Sequence, residues 1–351
     1  ADMQALEAAL EQARAGNGQV VGVVAEAGAG KSRLCFEFAE RCRTLGIAVN
    51  EGHAVAHGRN VPLLPILQAF REFYGIGERD DPRAVREKIA GRMVLLDEGF
   101  REALPLLFDF FGSPDPDRPA PRMDPEARQR QLFAILRRIT QLSPGQAEAG
   151  VGVTLIEDLH WIDPASEAFL AEWVAATAGT GNLLLVNFRP EYHADWMQKS
   201  YYRRLPLAPL GPEAIRELLG DLLGGDPSIS GLADKIHERT LGNPLFTEEV
   251  VQSLIDVGSL EGTRGAHRLV TPVDELAIPT SVQSVLAARI DRLAEREKRV
   301  LQTAAVIGKE FPEPVLAEVA ELPGTDLTAA LAALKGAEFI YEEALYPVAQ
   351  Y

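Results

Sequence analysis

The chain has 351 residues, enough for two or three domains at roughly 100–200 residues each. Hydrophobic residues make up 46% and charged residues 25%, an ordinary globular balance that excludes disorder as the main state. Its 35 Lys and Arg against 51 Asp and Glu leave a net charge of −16, a field that repels phosphate backbones and argues against nucleic acid as the main partner.

Residues 3–15 (MQALEAALEQARA) are rich in helix formers, with apolar positions three and four apart, so an amphipathic helix is predicted first. A GNG turn at 16–18 ends it. The β-branched run QVVGVV (19–24), the loop AEAGAGKS (25–32) and a helical stretch from Arg33 to about Thr44 then read as strand, loop and helix. IAVNEG (47–52) is the next predicted strand of a parallel α/β unit. Cys35 and Cys42 fall seven apart on the predicted helix, with about 10 Å of rise between them, beyond the ~7 Å limit for bridged Cα atoms. Two packed, reduced thiols are expected, which fits a cytosolic protein.

Between 53 and 150 the pattern changes. LPILQAFREFYG (64–75), DPRAVREKIAGRM (81–93) and PEARQRQLFAILRRITQL (125–142) carry helical periodicity, and SPDPDRPAPR (113–122) reads as a surface loop. This is a helical insertion. Short, nearly continuous apolar runs return at VGVTLI (151–156) and GNLLLVNF (181–188), the composition of parallel strands buried on both faces. From about 208 onward strands become scarce. IRELLGDLL (215–223), ISGLADKIHERT (229–240) and FTEEVVQSLIDVG (246–258) suggest a small helical domain over 208–277. Further helices from 278 onward, followed by a β-like end at FIYEE, suggest a winged-helix-like domain over 278–351. No apolar run reaches the ~18 residues of a membrane span, and the N-terminus has no signal-peptide pattern. The terminal segments look excised from something longer.

The strongest constellation is at 25–32. Closely spaced glycines before Lys-Ser at a helix start let backbone N–H groups curl around phosphate oxygens, and the helix dipole adds to the attraction. Lys31 would meet the β- and γ-phosphates, and Ser32 would give its hydroxyl oxygen to Mg²⁺. Gly28, Ala29, Gly30 and Arg33 complete the candidate cradle. The pattern is G-x-x-x-x-G-K-[ST], with Ala25 in place of the first glycine; a methyl there demands a backbone conformation open to any residue. Downstream, the strand VTLI runs into Glu157-Asp158. A P-loop ATPase needs a carboxylate at the end of the strand beside the P-loop strand to hold Mg²⁺, and Glu157 is that candidate; Asp158 is the candidate general base. Asp163-Pro164 reads as a helix N-cap with proline in the first turn, and His160 and Trp161 as packing residues. Arg189, after LLLVNF, either reaches a γ-phosphate from the C-terminal sheet edge or is a solvated strand end. Gly-Asn-Pro within LGNPLF (241–246) reads as a helix C-cap and restart.

In this order EAGAGKSRL, LIEDLHWIDPAS (155–166), NFRPEY (187–192) and LGNPLFTEEV (241–250) resemble the ATPase core of the STAND family, signal-transduction ATPases with numerous domains, among the AAA+ relatives. More narrowly, the chain resembles the ATPase module between a class III adenylate/guanylate cyclase domain and tetratricopeptide repeats in bacterial signalling proteins. The resemblance implies a P-loop NTPase fold using ATP or ADP and Mg²⁺. It matches Lys31 and Ser32 to the phosphate and metal ligands, Glu157 to the Walker B carboxylate, Asp158 to its acidic neighbour and Arg189 to the sensor arginine. It matches Pro244 to a proline that packs on the nucleotide from the helical domain. Glu157 replaces the more usual Asp, which lengthens the reach to the metal by one methylene. The resemblance also implies a Val-Gly-Arg-like adenine-holding segment ahead of the first helix, and the chain is expected to start after it.

The expected function is a nucleotide-controlled switch with slow hydrolysis, joined to flanking domains of its own polypeptide and open to self-association. Two alternatives remain: the ATPase module of a transcriptional regulator, and a nucleotide-binding scaffold without turnover. Residues 279–351 carry seven Lys and Arg against eleven Asp and Glu, which ranks DNA binding through that segment low.

Overall fold

The computed structural model describes residues 1–341 apart from 56–61, 78, 147–148, 280, 309–310, 321 and 338. The chain divides into two compact units, Ala1–Ala208 and Pro209–Tyr351.

The first unit opens with helix α1 (Asp2–Arg14), whose Leu6, Ala9, Leu10 and Ala13 form one buried stripe. Strand β1 (Gln19–Val24) is buried along its whole length. Helix α2 (Lys31–Thr44) follows the glycine loop, two residues earlier than the periodicity suggests, because Lys31 and Ser32 already belong to its first turn. Strand β2 (Val49–His53) comes next. The insertion then contributes α3 (Leu64–Tyr74), α4 (Pro82–Leu96), α5 (Leu104–Phe110) and α6 (Pro125–Gln146). Strand β3 (Gly152–Glu157), helix α7 (Pro164–Thr177), strand β4 (Asn182–Phe188) and strand β5 (Tyr202–Pro206) complete the unit.

The five strands form one parallel sheet in the order β2-β3-β4-β1-β5. This corrects one expectation: β3 is not beside the P-loop strand, because β4 lies between β3 and β1. β5 is an additional strand that the sequence pattern does not announce. Its YRRLP run is mostly exposed at the sheet edge, so it carries charge where the inner strands carry valine and leucine.

Side chains alternate between two cores. Val21, Val23, Val153, Leu155, Leu183 and Leu185 pack against α1 and α2, whereas Val20, Val24, Ile156, Leu184 and Val186 pack against α3 to α7. The insertion is therefore not an appendage but the cover of one sheet face. α3 lies so close to β2 that a Cβ on Gly52 would sit 2.1 Å from the carbonyl oxygen of Pro65. An aromatic cluster fills this layer, with Phe70 stacked on Trp173 at 5.1 Å and Phe110 on Phe169 at 5.7 Å.

In the second unit, α8 (Pro212–Leu223), α9 (Leu232–Thr240), α10 (Pro244–Asp256) and α11 (Val282–Arg292) share one core with a hairpin, β6 (Leu260–Thr263) and β7 (Ala266–Leu269). The hairpin is a second element absent from the sequence reading. Helices α12 (Glu295–Ile307), α13 (Glu313–Ala320) and α14 (Gly324–Gly336) form another core. Buried Arg289 pairs with Glu249 and Asp256 and donates to the Ala337 carbonyl, tying these helices together. No strand follows α14 at 339–341, and the rest of the expected β element lies outside the described residues. Among the described residues no helix is long and apolar enough to cross a membrane.

Candidate nucleotide site

The candidate residues of the first unit gather at the C-terminal ends of β1, β3 and β4. After β1, Ala25 is buried, and left-handed backbone falls on Gly28 (φ 76°) and Gly30 (φ 92°), not on Ala25. The missing first glycine therefore imposes no strain. Gly30 caps α2 without a side-chain hydrogen bond, so the first-turn N–H groups are not capped by a side chain and face outward as an anion-binding end.

Lys31 is buried, and its Nζ donates to the carbonyl oxygens of Ala25 at 2.9 Å and Glu26 at 3.0 Å. Burial pulls its pKa down; Asp158 opposes that shift, Arg189 adds to it, and Glu26 and Glu191 oppose it. Those four side chains thus share the electrostatic neighbourhood of the ammonium. The Ser32 side chain is exposed in the first turn of α2. Arg33 turns instead to a surface pair with Glu37 at 2.5 Å.

Glu157 ends β3 and is 7% exposed. Its Oε1 accepts from Asn187 Nδ2 at 2.7 Å, and its Oε2 lies 3.1 Å from His53 Nδ1. Asn187 is fully buried within β4 and uses both ends of its amide, since its Oδ1 accepts from the Asp158 N–H at 2.9 Å. A carboxylate can only accept, which fixes the amide's orientation. The same amide lies 3.7 Å from Cys35 Sγ, and burial pushes that thiol up to about 12. Neither Asn187 nor His53 was a candidate from sequence. The available signal was a lone amide inside an apolar run, NLLLVNF, where an unpartnered polar group would be costly.

Asp158 adopts a left-handed conformation (φ 58°, ψ 42°), uncommon outside glycine and tolerated best by Asp and Asn. Its side chain is 43% exposed. The bend turns the chain into a short 3-10 turn, Leu159–Trp161. His160 packs on Trp161 with centroids 5.1 Å apart, and the Arg189 guanidinium lies 5.5 Å over the Trp161 ring. Trp161 is therefore a platform for Arg189 as well as a packing residue. Asp163 caps α7 by accepting from the Ala165 and Ser166 N–H groups, each at 3.0 Å.

Pro244 belongs to the second unit. It is the first residue of α10, behind the Asn243 cap, whose Oδ1 accepts from the Phe246 N–H at 3.0 Å. Leu241 (φ 52°) and Gly242 (φ 77°) supply the preceding reversal, and a Cβ on Gly242 would meet the Leu210 carbonyl oxygen at 2.1 Å.

Mg²⁺ and a nucleotide fit these residues. Among the described residues no cluster of three or more His, Cys, Asp or Glu side chains could hold a metal alone, but Mg²⁺ is usually held by one or two protein oxygens together with phosphate and water. An exposed Ser32 hydroxyl and a tethered Glu157 carboxylate suit that role.

An uncharacterized protein of Rhizobium meliloti (strain 1021) is 28% identical over 320 residues, a match covering 86% of this chain and 28% of that protein. The chain thus spans under a third of the length of that curated relative. Among solved structures, a STAND protein with a tetratricopeptide repeat sensor from Pyrococcus horikoshii superposes with a TM-score of 0.47 and 13% identity, covering 93% of this chain and 38% of that one. A structure of Drosophila ORC bound to DNA superposes with a TM-score of 0.46 and 12% identity, over 99% of this chain and 82% of that one. The family model described as AAA ATPase domain matches residues 1–186. That match takes in more than half of the chain and the sheet from β1 to the first five residues of β4, and the chain belongs to the AAA ATPase domain family.

Proposed function

We propose that the chain is an ATP-binding, slowly hydrolysing switch module. One observation carries the reading: Lys31 at the head of α2 and a buried, doubly held Glu157 stand at the same edge of one parallel sheet. In this reading the backbone of Gly28, Ala29 and Gly30 cradles the phosphates. Lys31 exchanges its bonds to the Ala25 and Glu26 carbonyls for phosphate oxygens. Ser32 and Glu157 hold Mg²⁺, which when bound offsets the negative charge on the phosphates. Asp158, on its exposed corner, takes the proton of the attacking water. Arg189, resting on Trp161, contacts the γ-phosphate and so distinguishes ATP from ADP. Pro244 keeps the nucleoside-packing role that the motif resemblance gives it.

Differential contacts of this kind are what a switch requires, since a ligand shifts an equilibrium only by its differential affinity for the two states. The states would be arrangements of the core (1–207), the helical domain (208–277) and the C-terminal domain (278–351). The order of the four motifs further supports a place in a cytosolic bacterial signalling protein, beside a class III adenylate/guanylate cyclase domain and tetratricopeptide-like repeats, with the cyclase reaction outside this chain.

Steady-state phosphate release tests the reading. Wild type should turn over slowly, and Asp158→Ala should lose turnover by at least about 100-fold, a contribution within the usual range for a positioned base, while still binding ATP. Equal release by both proteins would remove Asp158 from the chemistry, and no release by wild type would favour the scaffold alternative.

A further inference from the structure

The sheet has a second polar feature at its opposite edge. Near the starts of β2, β3 and β4, a cavity of about 380 Å³ lies between the strands and helices α3, α6 and α7. Its size falls within the ~300–1,000 Å³ of small-molecule sites. Asn50 and Thr154 form its floor. They are register partners on adjacent strands and so share one face, the face that elsewhere carries Ile156, Leu184 and Val186 into the aromatic core.

Asn50 and Thr154 are the open polar side chains that the sheet itself presents to the cavity. Two other polar residues around the cavity are committed: Thr140 bonds back to the Leu136 carbonyl at 2.9 Å, and the Asn182 amide donates to the Thr140 carbonyl at 2.6 Å and to Thr180 at 3.0 Å; Ser143 on α6 is, like Asn50 and Thr154, without a side-chain partner among the described residues. Thr154 is only 9% exposed and Asn50 is half-buried, yet among the described residues neither side chain has a hydrogen-bond partner. Their polar atoms stay accessible from the cavity and are not among the fully buried unpaired ones, so a hydroxyl and an amide open side by side to whatever occupies it. The walls are aromatic: Phe70 stacked with Trp173 at 5.1 Å, and Phe73 bearing Arg92 at 4.9 Å on its ring. The charged lining is one acid, Glu72, and one base, Arg92, which favours no net charge in an occupant.

We propose that this cavity binds an uncharged, planar aromatic molecule with a carboxamide-like edge. The ring lies against the aromatic walls, and the edge gives one donor and one acceptor to Asn50 and Thr154. The site is separate from the phosphate loop and does not depend on the ATPase reading.

Benzamide is the probe, titrated into the full chain by saturation-transfer NMR with toluene as a ring without the edge. Wild type should bind benzamide, and Asn50→Leu and Thr154→Val should each weaken it by about tenfold or more, the equivalent of ~1.4 kcal/mol. Toluene should bind wild type and Thr154→Val alike. Thr154→Val keeps the side-chain shape, so it remains informative if Asn50→Leu fails to fold. Equal benzamide affinity in wild type and Thr154→Val, or no transfer to wild type up to the solubility limit, would overturn the proposal.

Discussion

At the C-terminal edge of the sheet, Glu157, Asn187 and His53 hold one another, and the Asp158 N–H is tied to the same amide. At the opposite edge, Asn50 and Thr154, three residues before His53 and Glu157 on the same two strands, have no hydrogen-bond partner among the described residues. One set of polar groups is fixed before any ligand arrives, and the other is left open. The difference separates two uses of a buried polar group. If Glu157 meets a cation as proposed, it must keep its charge and direction inside a low-dielectric core, which demands donors around it. A floor meant to receive a neutral molecule keeps its donors and acceptors uncommitted.

Substitutions at the two edges should therefore differ in cost. Asn187→Leu takes a donor from buried Glu157 and an acceptor from the Asp158 N–H, and should destabilise the first unit by about 3 kcal/mol, read by urea unfolding. A cost below about 1 kcal/mol would erase the contrast. Thr154→Val removes a hydroxyl with no hydrogen-bond partner among the described residues and should change stability by no more than about 0.5 kcal/mol, with stabilisation the expected sign. A loss as large as that of Asn187→Leu would mean that the Thr154 hydroxyl already has a partner.

The smallest effect concerns the two thiols of α2. Burial pushes Cys35 up to about 12 and Cys42 up to about 11, from 9.0. Both are raised in the folded state, so their contribution is fully present below pH 9. It declines above that as the unfolded chain ionises first, and is lost as pH rises through 11 to 12. Native protein should react with iodoacetamide at pH 8 far more slowly than unfolded protein. Equal rates would place the thiols at the surface.

Much of this was legible in the sequence. β1, β3 and β4 read as strands because continuous apolar runs are what two-sided burial produces, and the glycine loop between β1 and α2 read from its spacing. β5 did not, because an edge strand needs only one apolar face and YRRLP shows little even of that. Strand order was also hidden: β3 follows the loop strand in the motif logic, but β4 inserts between them in space. Glu157 and Asp158 could be picked by chemistry, whereas Asn187 and His53 acquire meaning only when β4 and β2 are laid on either side of β3. Asn50 and Thr154 were illegible for the same reason, since a cavity is a property of packing.

The central claim is that Lys31 and the loop around it grip a nucleotide's phosphates. Isothermal titration of ATP with Mg²⁺ into wild type, Lys31→Ala and Glu157→Gln tests it most directly. The account predicts binding by wild type, at least about a 100-fold loss in Lys31→Ala, equivalent to ~2.7 kcal/mol, and retained binding in Glu157→Gln. Equal ATP affinity in wild type and a folded Lys31→Ala would contradict it.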